Sequence, residues 1–477
     1  MNAPLWTRTE IETATGGQVG RGVTQASGAS IDTRTLASGD LYFAIKGDVH
    51  DGHAFVSAAL EKGAAACVIA DDQAAAFADS DRLVVVPDVL EAMRGLGIAA
   101  RARSAARIVA ITGSVGKTGT KEAMRLALSR QGKTHASVAS YNNHWGVPLT
   151  LSRMPQEAVF GIFEIGMNHA HEILPLTAMV RPHVAVITTV APVHLEFFPS
   201  LWGIADAKGE IFAGIEPGGT AVINRDLPSF ERLCAHAFAS AAGRVITFGE
   251  HERADIRAER VLVRPDDSLV EARIFGRPLV YRIGTAGRHI ALNSLSVLAA
   301  IHALGADVDR AAESFADLKP PVGRGERTIL STASGDALLI DESYNANPAS
   351  MTAALSNLGA VDVVPGGRRI AVLGDMRELG PDGPALHRAL ASAIAENHID
   401  LVFAAGALME NLVGSLPRST VAHHAGSSAA LVEPVTAMLQ AGDAVMVKGS
   451  LSMQMALVVK ALKDKYGAGP SATALKG

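Results

Sequence analysis

The residues best suited to chemistry lie at Gly113-Ser114-Val115-Gly116-Lys117-Thr118. Glycines, a lysine and a threonine in this order suit phosphate. Backbone N–H groups and the start of a helix attract phosphate oxygens. The Lys117 ammonium reaches terminal phosphates, and the Thr118 hydroxyl suits Mg²⁺. The usual loop has four residues between its first glycine and Gly-Lys-Thr, whereas here only Ser114 and Val115 intervene. An ordinary glycine turn before a helix is the other reading. Lys117 is expected at the exposed start of that helix.

Further candidates follow along the chain. Glu164 closes an apolar run, where a carboxylate faces the crevice in which α/β sheets bind ligands; a solvated strand end is equally compatible. Asn142-Asn143-His144-Trp145-Gly146-Val147-Pro148 reads as a ligand-facing turn or a plain Asx turn. His194 and Lys208, taken singly, are as readily structural or solvated. Asn293 lies on a helix, and Arg324 in Val322-Gly323-Arg324-Gly325-Glu326. Asp341-Glu342-Ser343-Tyr344-Asn345-Ala346-Asn347-Pro348, Gly374 to Gly380 and Lys448-Gly449-Ser450 each follow a strand-like run. Each is a ligand contact or a turn.

These residues need strands and helices to hold them. Up to about residue 105, short runs at Asp40–Lys46 and Ala64–Ala70, with a helical stretch from Ala54 to Lys62, imply a small α/β unit. Arg107–Thr112 is β-branched, apolar and long enough for a buried strand. Similar runs recur at Val159–Phe163, Val184–Thr188, Thr220–Ile223 and Arg244–Phe248, with helical stretches between them. This alternation predicts a doubly wound, mostly parallel sheet. Residues 256–283 alternate apolar with polar and predict antiparallel strands. A helix over Ile290–Leu304 is expected to close this part. Lys319-Pro320-Pro321-Val322-Gly323-Arg324-Gly325 reads as a hinge. Beyond it, Ala337–Asp341, Arg369–Leu373, Leu401–Ala404 and Ala444–Lys448 repeat the strand–helix pattern. The tail after Tyr466 is expected to fray.

A length of 477 residues exceeds one core and predicts two or three domains. The net charge of −5 implies no broad basic surface, so nucleic acid is not an expected partner. Cys67 and Cys234 are far apart without metal-ligand spacing, as for buried thiols in a reducing compartment. No apolar run reaches the roughly 20 residues of a membrane span, and the N-terminus lacks a signal-peptide core. The expected location is the cytoplasm.

Taken together and in order, Thr112 to Thr118, Asn142-Asn143 with Gly146 and Pro148, Glu164, His194, Lys208, Asn293, Gly323-Arg324 and Asp341 resemble the Mur ligase family. That family adds amino acids or dipeptides to the UDP-linked peptidoglycan precursor, and the shortened loop is its own form. The resemblance covers essentially the whole chain. It implies three α/β domains: a small one over 1–105 for the UDP-sugar precursor, a central P-loop ATPase-like one over 106–318, and a Rossmann-like one over 319–477 for the incoming amine. Ser30-Ile31-Asp32-Thr33-Arg34, Asp51-Gly52-His53, residues 341–348 and residues 374–380 point to the member joining D-alanyl-D-alanine to UDP-N-acetylmuramoyl-tripeptide. Ala346-Asn347-Pro348-Ala349 lacks the arginine typical of the member that adds the third residue. That member, a folylpolyglutamate synthetase relative and a P-loop kinase remain alternatives.

The resemblance also implies roles. ATP is expected at Gly113, Ser114, Val115, Gly116, Lys117, Thr118, Gly119, Asn143, Asn293, Arg324 and Asp341, with Asn293 on adenine and Asp341 on ribose. Two Mg²⁺ ions are expected, held through Thr118, Glu164, His194 and a carbamylated Lys208. Lys117, Lys208, His194 and Arg324 are the catalytic candidates. Ser30, Asp32, Arg34, Lys46, Asp51, Gly52 and His53 are expected on the precursor. Tyr344, Asn345, Asn347, Lys448 and Ser450 are expected on the dipeptide. A monomer is expected.

Overall fold

The computed structural model describes residues 4–47, 50–138, 140–192, 196–198, 200–264 and 266–467. His194 and the tail beyond Gly467 lie outside them. Among the described residues the strands form sheets of five, nine and six, plus a two-stranded ribbon. The fold is α/β in three successive parts, as the sequence predicts.

The middle sheet follows from its apolar runs. Arg107–Thr112 lies between Phe160–Glu164 and Val184–Ile187 and runs parallel to both. Ile108 and Ala110 face one core, and Val109 and Ile111 the other. Both faces are covered, so the inner positions 108–111 are all apolar. Helices Lys117–Ser129 and Arg288–Ala303 pack on one face. Gly146–Ser152, Ile173–Val180, Leu201–Gly209 and Phe230–Phe238 pack on the other. Helices thus leave on opposite faces beside Arg107–Thr112, which opens a crevice at its carboxyl end. Ile256–Val263, Ser268–Ile274 and Arg277–Ile283 are mutually antiparallel, although the first enters parallel to Arg244–Gly249. The expected closing helix is followed by another, Val308–Ser314, capped by Asp307. Its seven residues are too few to show a periodic pattern.

The first sheet has the order Gln18–Val19, Leu83–Val86, Ala66–Ala70, Asp40–Phe43, Gly28–Ser30, all parallel except the first. Helix Val89–Arg103 covers it and packs on Gly146–Ser152 of the middle part. Three polar contacts lock this interface. Trp6 Nε1 donates to the Ser152 carbonyl at 2.8 Å, and Arg153 Nε to that of Ala29 at 2.6 Å. Arg101 donates from Nε to Val180 O and from Nη2 to Arg181 O, both at 2.8 Å. That guanidinium satisfies carbonyls which a helix C-terminus leaves open.

The third sheet departs from simple strand–helix repetition. It opens with an antiparallel hairpin, Glu326–Thr332 with Gly335–Glu342. The first of these strands lies at the sheet edge and carries charged and hydroxyl residues, so no apolar run announces it. Ala444–Lys448, Arg369–Gly374, Leu401–Ala405 and Val421–Ala425 follow in parallel.

Arg101→Met keeps an apolar stem but leaves the Val180 and Arg181 carbonyls without their donors. It is expected to cost about 1–3 kcal/mol. A thermal melt of the full chain checks this; an unchanged midpoint contradicts the interface role.

Candidate active site

The site is assembled from three neighbouring strand tips of the middle sheet. Gly113 to Thr118 connects the central strand to helix Lys117–Ser129. Gly116 has φ 86°, and a Cβ there would lie 2.4 Å from Asn293 Nδ2. Glycine is required at this turn because the left-handed backbone and the close approach both exclude a side chain. Asn293 thus packs its amide on the turn itself.

Residues after Val184–Ile187 hold the loop from one side. Thr188 Oγ1 donates to Val115 O at 2.7 Å, Ser114 N–H donates to Thr189 O at 2.9 Å, and Ser114 Oγ donates to Ala191 O at 3.0 Å. Glu164, buried at the tip of the strand on the other side, accepts from Thr118 Oγ1 at 3.0 Å through Oε2. Asn142 Nδ2 donates to Glu164 Oε1 at 2.7 Å, and Ser140 Oγ is 3.2 Å from Thr118 Oγ1. Lys121, fully buried one turn along the helix, donates to Ser137 O at 2.8 Å. It thereby ties the helix to the 137–142 segment.

Contrary to the expectation of an exposed helix start, Lys117 is half-buried, and its ammonium folds onto Gly113 O at 2.6 Å. Burial pushes its pKa down; the Glu164 carboxylate opposes that shift and the Arg324 guanidinium adds to it. Lys208 is 2% exposed. Burial drives its pKa well below the usual ammonium value, and the nearby charge of Lys117 drives it further.

Sequence reasoning selected Asn143 for the nucleotide. Its Oδ1 accepts from Trp145 N–H and Gly146 N–H at 3.2 and 2.9 Å, starting the helix Gly146–Ser152. The residue on Glu164 is Asn142. Thr188, Ser140 and Lys121 were also missed. The Asn-Asn pair signalled the turn but not which amide points inward, and the hydroxyls carried no signal.

The third part reaches the same cleft. Arg324 lies over the Tyr344 ring at 4.1 Å, and Tyr344 N–H donates to Gly323 O at 3.1 Å. Asp341 is buried and accepts from Ser343 N–H and Oγ at 3.0 and 2.6 Å. Lys448, also buried, donates to Asn345 O at 2.9 Å and lies 3.4 Å from Glu342 Oε2. Asn347 spends its Oδ1 capping helix Pro348–Gly359. A cavity of about 340 Å³ lies between the middle and third parts, lined by His289, Arg324 and Glu342 among others.

The remaining candidates gather at the carboxyl end of the first sheet. Ser30 is buried and donates to Asp32 O at 3.0 Å. Asp32 pairs with the exposed Arg34 at 2.7 Å, and that hydrogen-bonded guanidinium lowers its pKa. Lys46 bridges to Asp51, and Gly52 N–H donates to Ile45 O at 2.9 Å. Asp51 Oδ1 accepts from His53 Nδ1 at 2.7 Å, while Ala70 N–H donates to His53 Nε2 at 3.0 Å. Both ring nitrogens of His53 are therefore engaged in shaping the turn, which leaves no nitrogen for a ligand.

Thr118 and Glu164 supply hard oxygen donors, which fit Mg²⁺. Among the described residues no group of three His, Cys, Asp or Glu gathers as a metal site. A site using few protein ligands plus phosphate oxygens suits Mg²⁺.

Comparison with known proteins gives matches along the chain. The Mur ligase family catalytic domain matches residues 25–106, the Mur ligase middle domain 111–301 and the Mur ligase glutamate ligase domain 323–451. The UDP-N-acetylmuramoyl-tripeptide–D-alanyl-D-alanine ligase of Escherichia coli is 33% identical over 439 residues, covering 91% of this chain and 93% of that protein. The one of Synechocystis is 33% identical over 438 residues, covering 90% of each. The crystal structure of MurF from Acinetobacter baumannii matches with a TM-score of 0.82 at 27% identity, over 96% of this chain and 99% of that one. The phosphate loop, its buried carboxylate and these matches across all three parts lead to one conclusion: the chain belongs to the Mur ligase family.

Proposed function

We propose that the chain is a cytoplasmic, monomeric ligase that uses ATP to join D-alanyl-D-alanine to UDP-N-acetylmuramoyl-tripeptide. In this reading residues 1–105 bind the UDP-sugar precursor, 106–318 bind ATP and 319–477 bring the dipeptide. The carrying observation is the phosphate loop seated on Glu164 through Thr118, with Lys117 and Lys208 buried beside it. Relatives bearing this activity in their names at 33% identity support the substrates.

The reaction has a charge problem. The tripeptide's terminal carboxylate must attack the anionic γ-phosphate, because a free carboxylate would otherwise have to expel oxide. The acyl phosphate then accepts the dipeptide's amine, and phosphate leaves. Stabilising the developing charge is the larger part of the work. Lys117 would exchange its bond to Gly113 O for phosphate oxygens. Arg324 approaches from the third part, its plane fixed by Tyr344. Asn293 and Asp341 border the nucleotide side. Thr118 and Glu164 would hold the first Mg²⁺, and His194 and Lys208 the second. Bound there, Mg²⁺ would neutralise phosphate charge and polarise the transferred group. Asn142 fixes the Glu164 carboxylate in position.

An ammonium repels a metal, so Lys208 must change its charge to take that role. Burial favours its neutral amine, the form that reacts with CO₂ to give a carbamate and a proton. Tyr344, Asn345, Asn347, Lys448 and Ser450 border the dipeptide side. Of these, Asn347 and Lys448 act through the loop they hold.

Phosphate release from ATP with UDP-tripeptide, with and without D-alanyl-D-alanine, is the direct test. Release that depends on the dipeptide and yields the pentapeptide is expected; dipeptide-independent ADP formation means a kinase-like or hydrolytic activity. Lys117→Ala should abolish turnover while its thermal midpoint stays close to that of the parent. Near-parental turnover contradicts the phosphate role.

Lys208→Arg should be as inactive as Lys208→Ala, because a fixed cation cannot become a carbamate. Bicarbonate should raise the activity of CO₂-depleted parent enzyme and leave both variants unchanged. Substantial activity in the arginine variant refutes carbamylation.

A further inference from the structure

Three adjacent strands of the third sheet end together: Gly335–Glu342, Ala444–Lys448 and Arg369–Gly374. The helices after the first and last, Pro348–Gly359 and Gly383–Glu396, pack in one core. The helix after the middle strand, Ala456–Tyr466, packs in the other. The chain therefore leaves in opposite directions around Ala444–Lys448, and a crevice opens above its tip. Ser450 sits at that tip. Its Oγ accepts from Arg377 N–H at 2.9 Å on one side and lies 3.4 Å from Ala346 O on the other.

Arg377 belongs to the Gly374–Gly380 segment, to which no role has yet been given. Its side chain is 54% exposed, while its guanidinium has neighbours on one side. Nη2 lies 3.8 Å from Asp375 Oδ2 and 3.5 Å from Met453 Sδ. Asp375 is 1% exposed; its Oδ1 accepts from Met409 N–H at 2.9 Å, while Oδ2 has no hydrogen-bond partner. A buried carboxylate oxygen without a donor is costly unless a cation stands near it. Arg377 is that cation, and the pair holds the guanidinium at the crevice. Next along the chain, Glu378 has φ 63°, and its carbonyl accepts from Glu196 N–H of the middle part at 3.5 Å. The Arg377 loop therefore meets the middle part at Glu196.

The other cations here are committed. Lys448 is tied to Glu342 and Asn345, and Arg324 covers Tyr344 and bears on Lys117. Among the described residues at these strand tips, Arg377 keeps an open face. The dipeptide brings an amine that must be free to attack and, at its far end, a carboxylate. A guanidinium receives a carboxylate through two parallel hydrogen bonds and so fixes direction as well as charge.

We propose that Arg377, steadied by Asp375 and Ser450, binds the terminal carboxylate of the incoming dipeptide and so aims its amine at the acyl phosphate. This rests on the reading of D-alanyl-D-alanine as acceptor. The test compares D-alanyl-D-alanine with its C-terminal amide, on the full chain with ATP and UDP-tripeptide. The unmodified enzyme should lose about 10- to 100-fold in kcat/KM on passing from acid to amide. Arg377→Met should lose a similar factor with the acid and treat acid and amide alike, with KM for ATP and UDP-tripeptide unchanged. Arg377→Lys, which keeps the charge, should regain part of the discrimination. Parental discrimination in Arg377→Met, or equal losses for acid and amide in both variants, overturns the proposal. If the unmodified enzyme uses neither acceptor, the acceptor reading itself fails and this proposal with it, whatever the variants do.

Discussion

The half-buried Lys117 and the buried Lys208 lie near enough for like charge to act between them, and this is the constraint on which the middle site turns. Burial and mutual repulsion both disfavour the charged form of Lys208. Glu164 offsets part of the charge at Lys117, but it is also hydrogen-bonded to Thr118 and Asn142. Such a pocket is electrostatically incomplete by itself. Anionic phosphate on the adjacent loop would offset that positive charge.

Strand order supplies the arrangement. Because Arg107–Thr112 pairs with both Phe160–Glu164 and Val184–Ile187, the loop, the carboxylate and the Thr188 hydroxyl end at one level. A different neighbour on either side would have moved Glu164 or Thr188 at least one strand spacing away, about 4.8 Å. The Lys121 contact then fixes the 137–142 segment, which brings in Asn142. The first part is locked to this frame by Trp6, Arg101 and Arg153. The third part meets it through lighter contacts, such as Glu196 with Glu378, and through the Gly323 to Gly325 turn.

The sheets of the third and middle parts follow one rule. Each opens a crevice where neighbouring strands send their helices to opposite faces, at Arg107–Thr112 and at Ala444–Lys448. The cavity beside His289, Arg324 and Glu342 lies between these two parts. Buried charge stands at both sets of strand tips: Lys448, Asp341 and Asp375 in the third part, and Glu164 in the middle part.

The sequence by itself determined the elements whose signal is local. Arg107–Thr112 and Ala444–Lys448 were legible to the residue, because a strand covered on both faces carries a continuous apolar run, here 108–111 and 444–447. The phosphate loop was legible because its glycines are dictated by its own backbone. The edge strand Glu326–Thr332 and the short helix Val308–Ser314 were not, since neither carries a continuous apolar pattern. Only the tertiary structure decided which polar side chains share the site. Asn142 rather than Asn143 reaches Glu164, His53 turns inward between Asp51 and Ala70, and Arg377 is set by Asp375, Ser450 and Met453. Each of these depends on partners from other elements, many of them tens of residues away, and a chain read in order carries no mark of which strand tips will stand side by side.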